Sequence, residues 1–341
     1  MNNADRSPAE ASPDAAAAAG FSSSLGLDST EALMHTLGVG MRLARAGLMV
    51  QELLEAGGKR VRARLALGAG EALGLQRAQL VPWAAACELL HNATLVHDDI
   101  QDGDTHRRGQ PTTWVRHGVP QAINAGDLLL MLPFRALEHL ETTDEIRWRL
   151  SKAVARAAEA AVRGQSLEMD LLANGRFGWD DWSTAARGKT GALLGLPVEG
   201  AALLAGFDPA TATQMAAEFA PLGLIFQLMD DVLDLSGSKG RPAGSDVAAG
   251  KVSAVVVAHL ALYPDDAVWM KRLLNLHRTQ TDPEDVTQAI ERFCLGSGGA
   301  TDVGRARAAA MGETLRASPT LRATPRLHAL ALELLALLER T

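Results

Sequence analysis

Asp98, Asp99 and Asp102, and again Asp230, Asp231 and Asp234, repeat one D-D-x-x-D pattern in two widely separated apolar stretches. On a helix, residues four apart share a face. Each pentad therefore projects its first and last carboxylates together, with the second about a quarter-turn away. Such a cluster repels itself unless cations intervene. Hard divalent ions, Mg²⁺ above all, take oxygen ligands and complete their shell with water and phosphate oxygens. Two clusters facing each other would trap a diphosphate. A lone acidic run is commonly a solvated helix face. Here each pentad ends an apolar run, Cys87–Val96 or Ala220–Met229, where an unpartnered carboxylate is costly to bury, and the balance moves to a metal site.

Cationic and polar groups surround the pentads. His91, Thr94, Leu95, Asp98 and Asp102 recur at helical spacing and form one stripe, which favours His91 as a phosphate donor over a satisfied core histidine. Arg107-Arg108-Gly109-Gln110-Pro111-Thr112 is a compact basic loop, and the planar fork of arginine makes paired hydrogen bonds to phosphate. Gly57-Gly58-Lys59-Arg60-Val61-Arg62 sets three cations at a glycine break before a helix start, a second anion site or else an exposed basic face. Gly188-Lys189-Thr190 imitates the end of a P-loop, but Ser183 stands where its glycine is required and no strand precedes it. Lys189 still offers a point charge and Thr190 a hydroxyl. Gln227 shares the stripe of Asp230, Asp231 and Asp234, while Arg241, Asp246 and Lys251 flank a glycine-rich segment able to close over the pocket.

The elements that must position these groups read as helices throughout. The chain has 341 residues, 47% apolar and only 4% aromatic, and lacks the alternation that strands need. Helical periodicity starts near Thr30, breaks at Gly38, Gly40 and Gly57-Gly58, and resumes in a basic helix from Lys59. Further helices are predicted over Gln79–Asp102, Pro120–Leu140, Asp144–Ala173, Asp180–Leu204, Pro209–Asp234, Val252–Leu262, Pro283–Phe293, Ala300–Ala317 and Pro325–Arg340. Loops are predicted at Gly103–Thr112, Asn174–Gly178 and Ser236–Ser245. A net charge of −7 argues against a nucleic-acid surface, and no run of eighteen apolar residues is present to span a bilayer. Cys87 and Cys294 are too few for a disulfide framework and lack zinc-site spacing. Residues 1–27 read as a disordered tail without signal-peptide character, 28–341 as one domain, and the location as cytoplasmic.

Taken together, the ordered motifs G-G-K-R-x-R at 57–62, D-D-I-Q-D then R-R-G-Q-P-T at 98–112, N-A-G-D at 124–127, K-T at 189–190, F-Q-L-M-D-D-V-L-D at 226–234 and G-S-D-x-x-x-G-K at 244–251 resemble the trans-polyprenyl diphosphate synthases. The resemblance runs from about Gly57 to the C-terminus. It implies an all-α isoprenoid synthase fold, a helical bundle around a central cavity, normally a homodimer. The implied reaction is head-to-tail condensation of isopentenyl diphosphate with an allylic diphosphate. By the same resemblance three Mg²⁺ ions bridge Asp98, Asp102 and Asp230 to the allylic diphosphate, with Asp99, Asp231 and Asp234 in supporting or water-mediated roles. Arg107, Lys189, Lys251 and Arg241 then contact that diphosphate, and Lys59, Arg62, His91 and Arg108 hold isopentenyl diphosphate. Gln227 and Thr190 turn oxygens toward the developing allylic cation. Departures from the pattern are Arg241 for lysine, Ser253 for threonine and Ala63 for proline; none removes a metal ligand.

Product length should follow what blocks a hydrocarbon channel running down the helix below Asp98. Ala93 and Thr94 are small, Thr94 lies only about 6 Å below the metals, and Leu90 and Cys87 follow about 12 and 16 Å down. This favours C20 or longer over C15. Two rivals share much of this chemistry. A class I terpene cyclase would carry a different second metal motif, and a non-catalytic subunit of a heteromeric prenyltransferase would be expected to lose aspartates. A di-iron bundle needs a second E-x-x-H beside Glu88–His91, which is lacking.

Overall fold

The computed structural model describes residues 26–39, 45–237, 242–275, 282–294 and 299–339. Most of the expected residues 1–27 tail lies outside these, as does Arg241; the first described helix begins at Leu27. The chain runs α1 (Leu27–Val39), α2 (Arg45–Glu55), α3 (Val61–Ala72), α4 (Arg77–Gln101), a hairpin of β1 (His106–Arg107) and β2 (Gln110–Pro111), α5 (Thr113–His117) and α6 (Val119–Leu137). Then come α7 (Asp144–Ala173), α8 (Trp179–Ala186), a π-helical turn (Arg187–Gly191), α9 (Ala192–Leu204), α10 (Pro209–Asp234), α11 (Ser245–Ala248), α12 (Ala254–Leu262) and α13 (Ala267–Leu274). The order closes with α14 (Pro283–Phe293), α15 (Ala300–Ala317), α16 (Pro319–Arg322) and α17 (Pro325–Glu339).

α4 is buried nearly all round, with Trp83, Ala84, Ala85, Leu89, Leu90 and Ala93 fully enclosed, which is why its apolar pattern shows little amphipathic contrast. It is the central post of the bundle. α3, α6 and α9 pack on it, and α10 packs between α9 and α15. The Trp83 indole N–H donates to the Pro197 carbonyl at 3.0 Å and ties α4 to α9. Helix starts obey local chemistry: Thr143, Asp208, Ser253 and Asp282 each accept a backbone N–H of the first turn of α7, α10, α12 and α14. Each such cap stabilises its helix by about 1 kcal/mol.

Four expectations need correction. The basic helix opens at Val61 rather than Lys59, because Arg60 adopts a left-handed backbone (φ 49°) as its N-cap, with its guanidinium spent on Glu31 and the Leu54 carbonyl. The Gly103–Thr112 loop contains a hairpin pairing His106 with Pro111 and Arg107 with Gln110. The single helix expected over Asp180–Leu204 is interrupted by the π-helical turn. Helix α13 is a further short amphipathic helix, whose N-cap residue Asp266 spends its carboxylate on His259 and Arg292 rather than on the helix start.

Candidate active site

The C-terminal ends of α4 and α10 bring the two pentads to one cavity of about 430 Å³. Asp98 and Asp102 line it from α4, and Asp230 and Asp231 from α10. Burial, reinforced by Asp102 and Glu168, lifts the Asp98 carboxyl from 3.8 to about 6 despite the opposing pull of Lys189 and Arg107. That raised value measures how poorly this wall tolerates negative charge without a cation. Among the described residues no three carboxylate, imidazole or thiol groups close on one point as a ready-made cage.

Asp99, Asp234 and Asp231 also make hydrogen bonds to the surrounding frame. Asp99 is buried and its Oδ1 accepts from Arg107 Nε at 2.7 Å and from a second guanidinium nitrogen at 2.6 Å. Asp234 is buried and accepts from the Ser245 hydroxyl and from the Asp246 amide at 3.0 Å, so it pins the segment after α10. Asp231 accepts from Gln227 Nε2 at 2.9 Å and from the Ala254 amide at 2.7 Å. Burial and the nearby Asp246 push its carboxyl well above the ordinary range.

Arg107 owes its place to the hairpin. Arg108 (φ 53°) and Gly109 (φ 76°) are both left-handed, as the two-residue turn between twisted strands requires. The turn lays the Arg108 guanidinium against Gly58, where a Cβ would sit 2.6 Å from it. Gly58, the second glycine of the basic motif, thus clears room for this arginine. Arg62 and His91 line the cavity, whereas Arg108 lines a small neighbouring recess and Lys59 is exposed at the glycine break. His91 Nδ1 and Arg62 Nε are buried without a hydrogen-bond partner among the described residues. Burial and the charges of Arg62, Arg107, Arg108 and Arg60 hold the imidazole well below its usual pKa, so His91 is neutral at neutral pH.

Glycine packing aims Lys189 and Thr190. A Cβ on Gly164 of α7 would lie 2.2 Å from the Lys189 amide nitrogen, and one on Gly188 would lie 2.9 Å from the Ala160 carbonyl oxygen. Only backbone fits there, and the π-helical turn presses onto α7 with Lys189 and Thr190 lining the cavity. The Lys189 ammonium rests on Glu168; burial opposes its charge, but Glu168, Asp98 and Asp102 outweigh that and hold it protonated. The Thr190 hydroxyl donates to Gln227 Oε1 at 3.3 Å.

The apolar part of the lining is Leu95, Leu130, Ala158, Ala161, Val162, Met169, Leu193 and Phe226, and Thr94 lines the cavity with them. Ala93, Leu90 and Cys87 are buried in the core and do not line the cavity: Ala93 turns to another face of α4, while Leu90 and Cys87 continue the stripe of Thr94 and Asp98 but are covered by packing. Motif reading missed Glu168, whose signal is its place one helical turn from Gly164 and Gln165. It also missed Glu88, whose carboxylate accepts from the Ala63 amide at 3.1 Å at the start of α3 and faces Arg62.

Residues 45–293 match the polyprenyl synthetase family. The short chain isoprenyl diphosphate synthase of Methanocaldococcus jannaschii is 36% identical over 245 residues, 71% of this chain and 74% of the relative. This chain belongs to the polyprenyl synthetase family. It is thus a transferase of the prenyl diphosphate synthase kind, and its bundle is the isoprenoid synthase fold. The farnesyl diphosphate synthase of Geobacillus stearothermophilus is 36% identical over 219 residues, 61% of this chain and 73% of the relative. The geranylgeranyl pyrophosphate synthetase structure from Pyrococcus horikoshii superposes with a TM-score of 0.78 at 29% identity, covering 94% of this chain and 98% of that one. No helix among the described residues is long and apolar enough to cross a membrane.

Proposed function

We propose that this member of the family joins isopentenyl diphosphate head-to-tail to an allylic diphosphate and yields an all-trans polyprenyl diphosphate of C20 or longer. The observation that carries the proposal is one cavity lined both by Asp98, Asp102, Asp230, Lys189, Lys251 and Arg107 and by a set of apolar side chains. An all-oxygen donor set on two helices fits Mg²⁺, which leaves coordination sites to phosphate and water. Asp98, Asp102 and Asp230 would hold the ions, three by the family resemblance, with Asp231 behind them and Asp99 and Asp234 bracing the frame. When bound, Mg²⁺ supplies Lewis-acid stabilisation of the leaving diphosphate.

The protein's own groups do the rest. Arg107, Lys189 and Lys251, and by resemblance Arg241, bind the allylic diphosphate and stabilise the charge gathering on it as its C–O bond breaks. Gln227 and Thr190 present oxygens to the allylic cation, and the apolar walls exclude the water that would quench it. Neutral His91 with Arg62, Arg108 and Lys59 holds isopentenyl diphosphate, whose double bond supplies the electron pair of the new C–C bond. A proton then leaves to the released diphosphate. An exposed apolar stripe on α6, Val119, Ile123, Met131 and Phe134, supports a homodimer with a second copy as its cover. The test supplies isopentenyl diphosphate with C5, C10 and C15 allylic primers, with and without Mg²⁺. Elongated all-trans products of C20 or more, formed only with metal, support the proposal; cyclised products or no elongation reject it.

A further inference from the structure

A second cavity, of about 230 Å³, opens between α8, α10 and α15, away from the pentads. Its walls are amphiphilic. Trp182 is buried within it, and Trp179 meets Trp182 edge-on at 5.6 Å between ring centroids. Pro221 and Leu224 of α10 complete the apolar side. Two arginines, Arg187 and Arg307, and one carboxylate, Asp180, line the same cavity, all three exposed, and neither arginine is ion-paired among the described residues. The Arg307 guanidinium stacks 4.0 Å from the Trp179 ring centre. The Trp179 indole N–H is buried with no hydrogen-bond acceptor among the described residues. A buried donor left unmet is costly. Two guanidiniums against one carboxylate, an unmet N–H and indole faces together favour an anion joined to an apolar group. The volume falls below the roughly 300–1,000 Å³ of pockets that enclose a whole drug-sized ligand, so a headgroup and the first part of a tail fill it.

The geometry points to a second, non-catalytic site here for a phosphate or diphosphate ester with an apolar tail, of the class the proposed reaction produces. Its position gives it a route to the first site. Arg187 begins the π-helical turn that carries Lys189 and Thr190, and Leu224 lies one turn before Gln227 on α10. An ester drawing Arg187 outward bears directly on the segment that aims Lys189. Binding does not depend on the reaction proposed above; only the identification of the ligand as a prenyl diphosphate rests on it.

The test follows tryptophan fluorescence of the full-length protein in a chelator, so that metal-dependent binding between the pentads is silent. The probes are a farnesyl thiolodiphosphate, inorganic diphosphate and farnesol. The site predicts saturable quenching by the thiolodiphosphate, weakened about tenfold or more in Arg307→Glu and mostly lost in Trp179→Phe. It also predicts much weaker binding of diphosphate alone and of the alcohol. Equal affinity in Arg307→Glu overturns the site, and equal affinity for any single half-ligand overturns its amphiphilic character. Arg307 lies outside the first cavity, so uninhibited turnover in Arg307→Glu should match the wild type. A protein that binds the probe but condenses nothing would reject the reaction and leave this site standing.

Discussion

Lys251 reaches across 149 positions of chain to set its ammonium nitrogen 2.7 Å from Asp102 Oδ2. Asp102 and Asp246, 3.7 Å away, outweigh the burial that works against the charge and hold this lysine protonated. Asp246 is in turn held by Asp234, so the last aspartate of the second pentad fixes the segment whose lysine meets the last aspartate of the first.

That wiring gives Asp234 a measurable role through Lys251. Lys251→Met should lower kcat/KM by about 10²-fold, the typical loss of one charge-stabilising donor. Asp234→Asn should cost about tenfold, and the double variant should fall well short of the product of the two losses, as coupled sites do. Fully multiplicative losses in a double-mutant cycle would show that Asp234 acts independently of Lys251.

The raised Asp98 carboxyl has a consequence for the metal-free protein. Its folded pKa of about 6 exceeds the unfolded 3.8, so the folded state binds the extra proton between these values. Stability should therefore decline as pH rises from about 4 to 6 and then level off, by about 3 kcal/mol in all. Asp98→Asn removes the penalty. Denaturant unfolding in a chelator should find the variant more stable than the wild type at pH 7.5, with the gap closing toward pH 4.

Glu168 carries Lys189 and also raises Asp98. Glu168→Gln should lower activity by about tenfold through a loosened Lys189. It should also shift the acid limb of the pH–rate profile to lower pH, since one negative charge beside Asp98 is gone. Glu168→Asp should restore most of the activity. An unmoved acid limb would assign Glu168 a packing role only.

Thr94 lines the cavity and Ala93 does not, so the same enlargement at neighbouring positions should give different results. Thr94→Phe should shorten the product with little change in stability. Ala93→Phe overpacks a fully buried position and should cost about 1–3 kcal/mol of stability or more. Product sizing beside thermal unfolding distinguishes the two; an unchanged product from Thr94→Phe would place the growing chain elsewhere.

The cavity stripe was legible because helical spacing alone puts His91, Thr94, Asp98 and Asp102 on one face, and Gln227 with Asp230 on another. The helices bearing them were legible from apolar runs and caps. Spacing does not reveal how a side chain divides between cavity and scaffold. Asp99 and Asp234 have the motif yet point to Arg107 and to Ser245-Asp246, because loops distant in sequence offered donors. Nor could a single sequence show that Gly164 packs against the Lys189 backbone at the π-helical turn, or that Glu168 on the same helix as Gly164 pairs with the Lys189 ammonium. Leu90 and Cys87 shared the apolar character of a channel wall, and only the packing of α4 turned them into core.

The most direct measurement is metal-dependent condensation by the wild type and by the single variants Asp98→Ala and Asp230→Ala, each first shown to be folded. Wild type with Mg²⁺ should convert isopentenyl diphosphate and an allylic diphosphate to longer prenyl diphosphates, and each variant should lose about 10³-fold or more in kcat. Elongation at the wild-type rate by either variant, or by the wild type in a chelator, would contradict the account.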